Sequence, residues 1–180
     1  TFTFLWVFQA GVDAGLTPGA ATSKAGMIFG IAQGMALLWS PVMGMILDRI
    51  PRLTGVCVAF GLAGIGYSAL GQVADPFGPW MLPAAMLAGV GEASAVVAAG
   101  VLIGQEAPAA TRGTLIGVFG LCGSLGIVCL TVAGGLVFDG FGRSAPFVMM
   151  GIVNFAVLAA ALRVRHGARR RRVARRGAKD

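Results

Sequence analysis

The 180-residue chain is 57% hydrophobic and only 12% charged, with a mean hydropathy of +0.84, more apolar surface than one water-soluble core of this size can hide. That excludes an ordinary soluble domain and leaves a bilayer as the solvent. The net charge of +7 does not describe a nucleic-acid-binding fold either, because nine of the fourteen basic residues lie between Arg163 and Lys179.

A helix needs about 20 largely uncharged residues to cross the hydrocarbon of a bilayer. Residues 1–12 are apolar but too short. Their alternation of Phe2, Phe4, Trp6 and Phe8 would suit a strand, but an isolated strand in lipid leaves its backbone unpaired. The expectation is therefore the end of a sixth, truncated helix, in a chain cut from something longer. Gly26 to Leu47 is uncharged and ends at Asp48. Leu53 to Ala74 is uncharged and is followed by the turn Asp75-Pro-Phe-Gly-Pro79. Trp80 to Gln105 carries one charge, Glu92. Gly113 to Phe138 and Ser144 to Leu162 carry none, and Arg163 ends the last run. The predicted fold class is thus all-α, a polytopic transmembrane helix bundle over residues 1–162. Its spans are 1–12 (partial), 26–47, 53–74, 80–105, 113–138 and 144–162, and a basic tail occupies 163–180.

Glycines inside these runs point to close helix packing. Gly26, Gly30 and Gly34 have small-xxx-small spacing, Gly113 and Gly117 repeat it, and Gly117, Gly120, Gly123 and Gly126 recur every third residue. Cys57, Cys122 and Cys129 form no CxxC or Cys/His group and read as small packing residues, with neither a disulfide nor a metal. Alternating spans put Arg49, Arg52, Arg112 and the tail on one side, against Lys24 and Arg143 on the other. The positive-inside rule then makes the C-terminus cytoplasmic.

The loop after the first full span reads Gly44-Met-Ile-Leu-Asp48-Arg49-Ile-Pro51-Arg52. It resembles the signature loop of the major facilitator superfamily, although Pro51 and Leu53 stand where that family prefers glycine and a basic residue. Arg112-Gly113 after Pro108, and Gly134-Gly135 through Phe138-Asp139 before Pro146-Phe147, are similar to later segments of a twelve-helix member. The resemblance covers the end of helix seven through helix twelve, the C-terminal half. It implies two six-helix halves that rock about a central site, with Asp48 as a latch between halves and Gly44, Arg49 and Arg52 completing a cytoplasmic gating loop. A carboxylate near a helix N-terminus gains about 0.3–1 kcal/mol, enough to bias such an equilibrium. An ordinary helix stop flanked by positive-inside anchors explains the same residues equally well for Asp48 and better for Arg52.

Glu92 lies mid-span, where an acid is a functional candidate by default. Ala85, Ala88, Gly89, Ala95, Val96 and Ala99 share its helical face, while Met86, Val90, Val97 and Val101 on the opposite stripe suit lipid. Glu92 should therefore point into the bundle and either exchange a proton or hold a cationic substrate group, against the alternative of a neutral acid bonding two helices. Gln33, Gln9 and Asn154 are further candidates for a substrate or proton pathway, and each suits interhelical packing as well. Packing is the better reading for Asn154, whereas the resemblance favours Gln9, since the seventh helix lines the cavity in that family.

His166, the one histidine, sits in the basic tail, which disfavours a catalytic triad or zinc site. No phosphate-binding GxxxxGK[ST] loop and no G-x-S-x-G elbow occur. The expectation is not an enzyme and needs no cofactor. It is a secondary active transporter half moving a small solute, with or without coupled protons, with lipid, a solute and an N-terminal six-helix half as partners and no nucleic acid. That other half would be a missing segment, a separate chain or a second copy. The alternative is a non-transporting membrane scaffold. The tail then lies on anionic lipid, and an Ala/Gly/Arg-rich composition suits the inner membrane of a GC-rich bacterium.

Overall fold

The structure is a computed structural model that describes the backbone of residues 2–177 and the side chains of residues 2–167. Six helices follow one another, and there is no strand among the described residues: α1 (Phe2–Asp13), α2 (Pro18–Arg49), α3 (Arg52–Gly71), α4 (Met81–Glu106), α5 (Arg112–Phe141) and α6 (Ala145–Gly177). Five are long and apolar enough to cross a membrane, and α1, with 12 residues, is not. The all-helical multi-pass bundle expected from the hydropathy pattern is the fold observed.

Local chemistry sets the helix ends. Helix α2 begins at Pro18, well before the uncharged run, because Thr17 is an extended N-cap whose Oγ1 accepts from the Ala20 amide at 3.3 Å, with proline at the first helical position. Its far end is set by Pro51, since Ile50 is pushed to an extended φ/ψ of −116°/154° by the ring that follows it. Between α3 and α4, Asp75 Oδ1 accepts from the Phe77 amide at 2.9 Å, and the Gly78 amide donates to the Asp75 carbonyl at 3.0 Å. Helix α5 stops at Gly142, whose φ of 104° an L side chain rarely adopts. Helix α6 does not stop at Leu162 but runs on through the basic segment to Gly177.

Helix α4 is the centre of the bundle, flanked by α3 on one side and α2 on the other; α3 also packs on α6, and α1 on α2. The closest seam is α3 against α4. A methyl added to Gly66 would lie 2.6 Å from the Leu87 carbonyl oxygen, and one added to Gly91 only 2.4 Å from Ala63 Cα, so both glycines let backbone meet backbone. One apolar cluster gathers Trp6, Val7, Leu70, Met81 and Phe147 near the α3–α4 turn, and a second gathers Met43, Leu47, Val56, Ala59 and Ala98 at the opposite end. Trp39 joins the second cluster and donates from Nε1 to Ser94 Oγ at 2.9 Å, tying α2 to α4. Helix α5 is the loosest element. It is held chiefly at Gly134 and Phe138, where the Phe2 ring seats against the glycine and stacks on Phe138 at 6.2 Å.

Several packing expectations are corrected. A Cβ at Gly26, Gly30, Gly34, Gly113, Gly117, Gly120, Gly123 or Gly126 would meet nothing within 4 Å, so neither glycine series packs on a helix among the described residues. Of the cysteines only Cys57 is buried; Cys122 and Cys129 are exposed on α5. The stripe of α4 assigned to lipid is instead internal, with Val90 buried and Val97 and Val101 against the second cluster. The reason is that α4 has neighbours on two sides, so a face that looks peripheral on an isolated helix is covered.

Candidate functional site

Among the described residues a cavity of about 300 Å³ opens between the helices, and all six contribute to its wall. Helix α1 supplies Phe2 and Thr3, α2 supplies Phe29 and Gln33, α3 supplies Tyr67, and α4 supplies Gly89 and Glu92. Helix α5 adds Thr131, and α6 adds Phe147 and Met150. The wall is mostly aromatic and aliphatic with a few polar groups, the usual make-up of a small-molecule site.

Glu92 and Gln33, on different helices, are brought to this one cavity. Both are exposed within the chain, on the cavity side. Glu92, Val96 and Gly100 form the open stripe of α4, whereas its small neighbours Ala85, Ala88 and Gly89 are buried, so within the chain Glu92 sits on the open cavity side rather than in the packed interior. Tyr67 donates its hydroxyl to Glu92 Oε2 at 3.3 Å, a long bond that ties α3 to α4 across the seam of Gly66 and Gly91. Sequence reasoning passed over Tyr67. It is the one tyrosine of the chain, and a phenol inside an apolar run needs a polar partner, which was the available signal. Thr131 was also missed, and nothing in its neighbourhood distinguishes it.

Gln9 and Asn154 do not line the cavity. Gln9 is half-buried on α1. Asn154 is buried, and its Nδ2 donates to the Met150 carbonyl of its own helix at 2.8 Å. The gating-loop candidates sit at the opposite end from the α3–α4 turn. Asp48 and Arg49 are exposed at the end of α2, and Gly44 is half-buried with no neighbour within 4 Å of an added Cβ. Arg52 is more than an anchor. It forms an ion pair with Glu106 that clasps the start of α3 to the end of α4. At the far end Arg143 pairs with Asp13, joining the α5–α6 turn to α1, and the Lys24 ammonium lies 4.8 Å from the Phe77 ring centroid. No cluster of three or more His, Cys, Asp or Glu side chains suited to a metal occurs among the described residues.

Magnetosome protein MamH of Paramagnetospirillum magneticum (strain ATCC 700264 / AMB-1) is 29% identical over 163 residues, 91% of this chain and 38% of that protein. Magnetosome protein MamZ of the same strain is 34% identical over 152 residues, 83% of this chain and 23% of MamZ. MamZ of Magnetospirillum gryphiswaldense matches to the same extent. The chain thus spans well under half the length of these relatives. No solved structure matches it. A family model described as Major Facilitator Superfamily matches residues 1–180, and the chain, an all-helical bundle with five span-length helices, belongs to the major facilitator superfamily.

Proposed function

We propose that this chain supplies one half of a secondary transporter that moves a small solute by alternating access, with Glu92 as the group that takes up a proton or a cationic part of the solute. The observation that carries the reading is an acid midway along a helix long and apolar enough to cross a membrane, on the wall of a cavity to which all six helices contribute. Family membership supports the mechanism: two halves rock about a midplane site. The glycine-lined faces of α2 and α5, whose glycines meet no other helix among the described residues, suit a six-helix partner half as the surface across the cavity. Asp48, exposed at the end of α2, fits a latch that meets a helix end of that half in one state and leaves it in the other. The proposed location is a bacterial inner membrane with the C-terminus cytoplasmic. Because the relatives are named as magnetosome proteins, fractionation should compare magnetosome and inner-membrane vesicles.

Thr131→Cys tests the reading, in a protein whose Cys122 and Cys129 are serine. A membrane-impermeant thiol reagent should reach this cavity residue from either face in turn. Labelling from one face under every condition speaks for a scaffold. Glu92→Gln should abolish the pH dependence of that exchange. An unchanged pH profile removes Glu92 from coupling while leaving transport intact.

A further inference from the structure

The geometry points to the substrate class: a monovalent organic cation with an apolar, preferably aromatic-sized body, its positive centre at Glu92. The inference rests on the transport reading and narrows it. Glu92 is the only acidic or basic side chain among the described residues lining the cavity. Among the described residues no lysine or arginine pairs with it; the ion pairs they form lie at the two ends of the bundle, Arg52 with Glu106 and Arg143 with Asp13. Its described hydrogen bond comes from a neutral phenol at 3.3 Å, which orients one carboxylate oxygen without neutralising it.

The rest of the wall fits the body of such a ligand. Phe29 and Tyr67 lie on α2 and α3, to either side of the helix that carries Glu92, and Phe2 and Phe147 complete an aromatic lining. Ring faces attract a positive centre and weakly hydrated alkyl-ammonium groups most of all, and the methionine side chains of α6 adapt to irregular apolar shapes. Gln33 offers an amide for a polar substituent. An anion would meet an acidic side chain with no basic partner among the described residues of the wall, so size alone does not admit it.

Equilibrium dialysis of the detergent-purified chain with radiolabelled benzyltrimethylammonium, and in parallel with phenylacetate as an anion of similar size, tests this. Saturable binding of the cation is expected, weakened at least tenfold by Glu92→Gln, largely retained by Glu92→Asp, and weakened severalfold by Phe29→Leu. Phenylacetate should not saturate. Equal cation binding by wild type and a Glu92→Gln protein that elutes as a monodisperse species overturns the proposal, as does saturable binding of the anion alone or of neither probe. Should Glu92→Gln fail to fold, Glu92→Asp and Phe29→Leu still decide it, because wild-type levels of cation binding in the latter remove the aromatic wall. The Thr131→Cys accessibility measurement separates the two failures. Alternating exposure without cation binding sinks only the substrate class, and exposure to one face sinks the transport reading beneath it.

Discussion

Gly91→Ala should loosen the bundle and break the Tyr67–Glu92 bond together. A Cβ on Gly91 would lie 2.4 Å from Ala63 Cα, 2.7 Å from Ala63 N and 2.8 Å from the Leu62 carbonyl oxygen. These are backbone atoms, so no side chain can rotate away. Restoring ordinary contact means moving α3 from α4 by about 1 Å, an overpacking that costs about 2–3 kcal/mol at the unyielding end of its usual range. Alanine returns about 1 kcal/mol through helix propensity, leaving a net loss of about 1–2 kcal/mol. The neighbouring hydrogen bond is already 3.3 Å long; stretched by the same displacement it passes about 4 Å and is lost.

Cys57 provides the assay. It is buried on α3, whereas Cys122 and Cys129 are exposed. With the exposed pair changed to serine, a thiol-reactive fluorophore on heating reports unfolding through Cys57 alone. Gly91→Ala should unfold a few degrees below the parent. Gly100→Ala, on the same helix with nothing within 4 Å of the added methyl, should unfold at or above the parent temperature. Equal midpoints for the two variants would refute the reasoning, because the difference between them is the α3–α4 contact.

Reversing either member of the Arg52–Glu106 pair should cost no more than about 1 kcal/mol, since both side chains are over half exposed; the double reversal should recover the loss, and added salt should shrink it, in the same thermal assay. Ser94→Ala removes the acceptor for the Trp39 indole and strands that N–H among apolar neighbours, a loss of about 1–3 kcal/mol, whereas Ser94→Thr should keep most of it. Asn154→Leu should leave the Thr131→Cys labelling pattern untouched and shift stability by less than about 1 kcal/mol, because the amide bonds only its own helix.

Much of this molecule is legible from one-dimensional physics. Uncharged length locates the spans, since hydrocarbon penalises every charge and every unpaired backbone group alike. Pro51 and the Asp75 turn mark breaks whose geometry follows from the ring and the carboxylate themselves. Glu92 is legible for the same energetic reason. What is not legible is which element covers which face. Val90, Val97 and Val101 look as suited to lipid as to a core, and only the position of α4 between α2 and α3 decides between them. Tyr67, Thr131 and the Arg52–Glu106 pair depend on helices meeting across long sequence separations, about which local spacing is silent.

The glycines carry that lesson into function. Regular spacing points to Gly26, Gly30 and Gly34 and to the run from Gly113 to Gly126, yet none of these touches another helix among the described residues. Glycines that do, among them Gly64, Gly66, Gly89, Gly91 and Gly134, stand outside both series and meet α6, α4, α2, α3 and the Phe2 ring respectively. Glycine in a helix interior costs roughly 1 kcal/mol relative to alanine, so a whole series kept on an open face needs a contact to offset it. Gly26, Gly30, Gln33 and Leu37 recur at helical spacing on the exposed face of α2, and that face includes a cavity residue. A second half closing over the same side would turn a destabilising series into an interface at the rim of the site. Replacing Gly26 and Gly30 together by leucine should then spare the unfolding temperature of this chain while blocking Thr131→Cys labelling from one face, and unchanged labelling would leave the series without a role in transport.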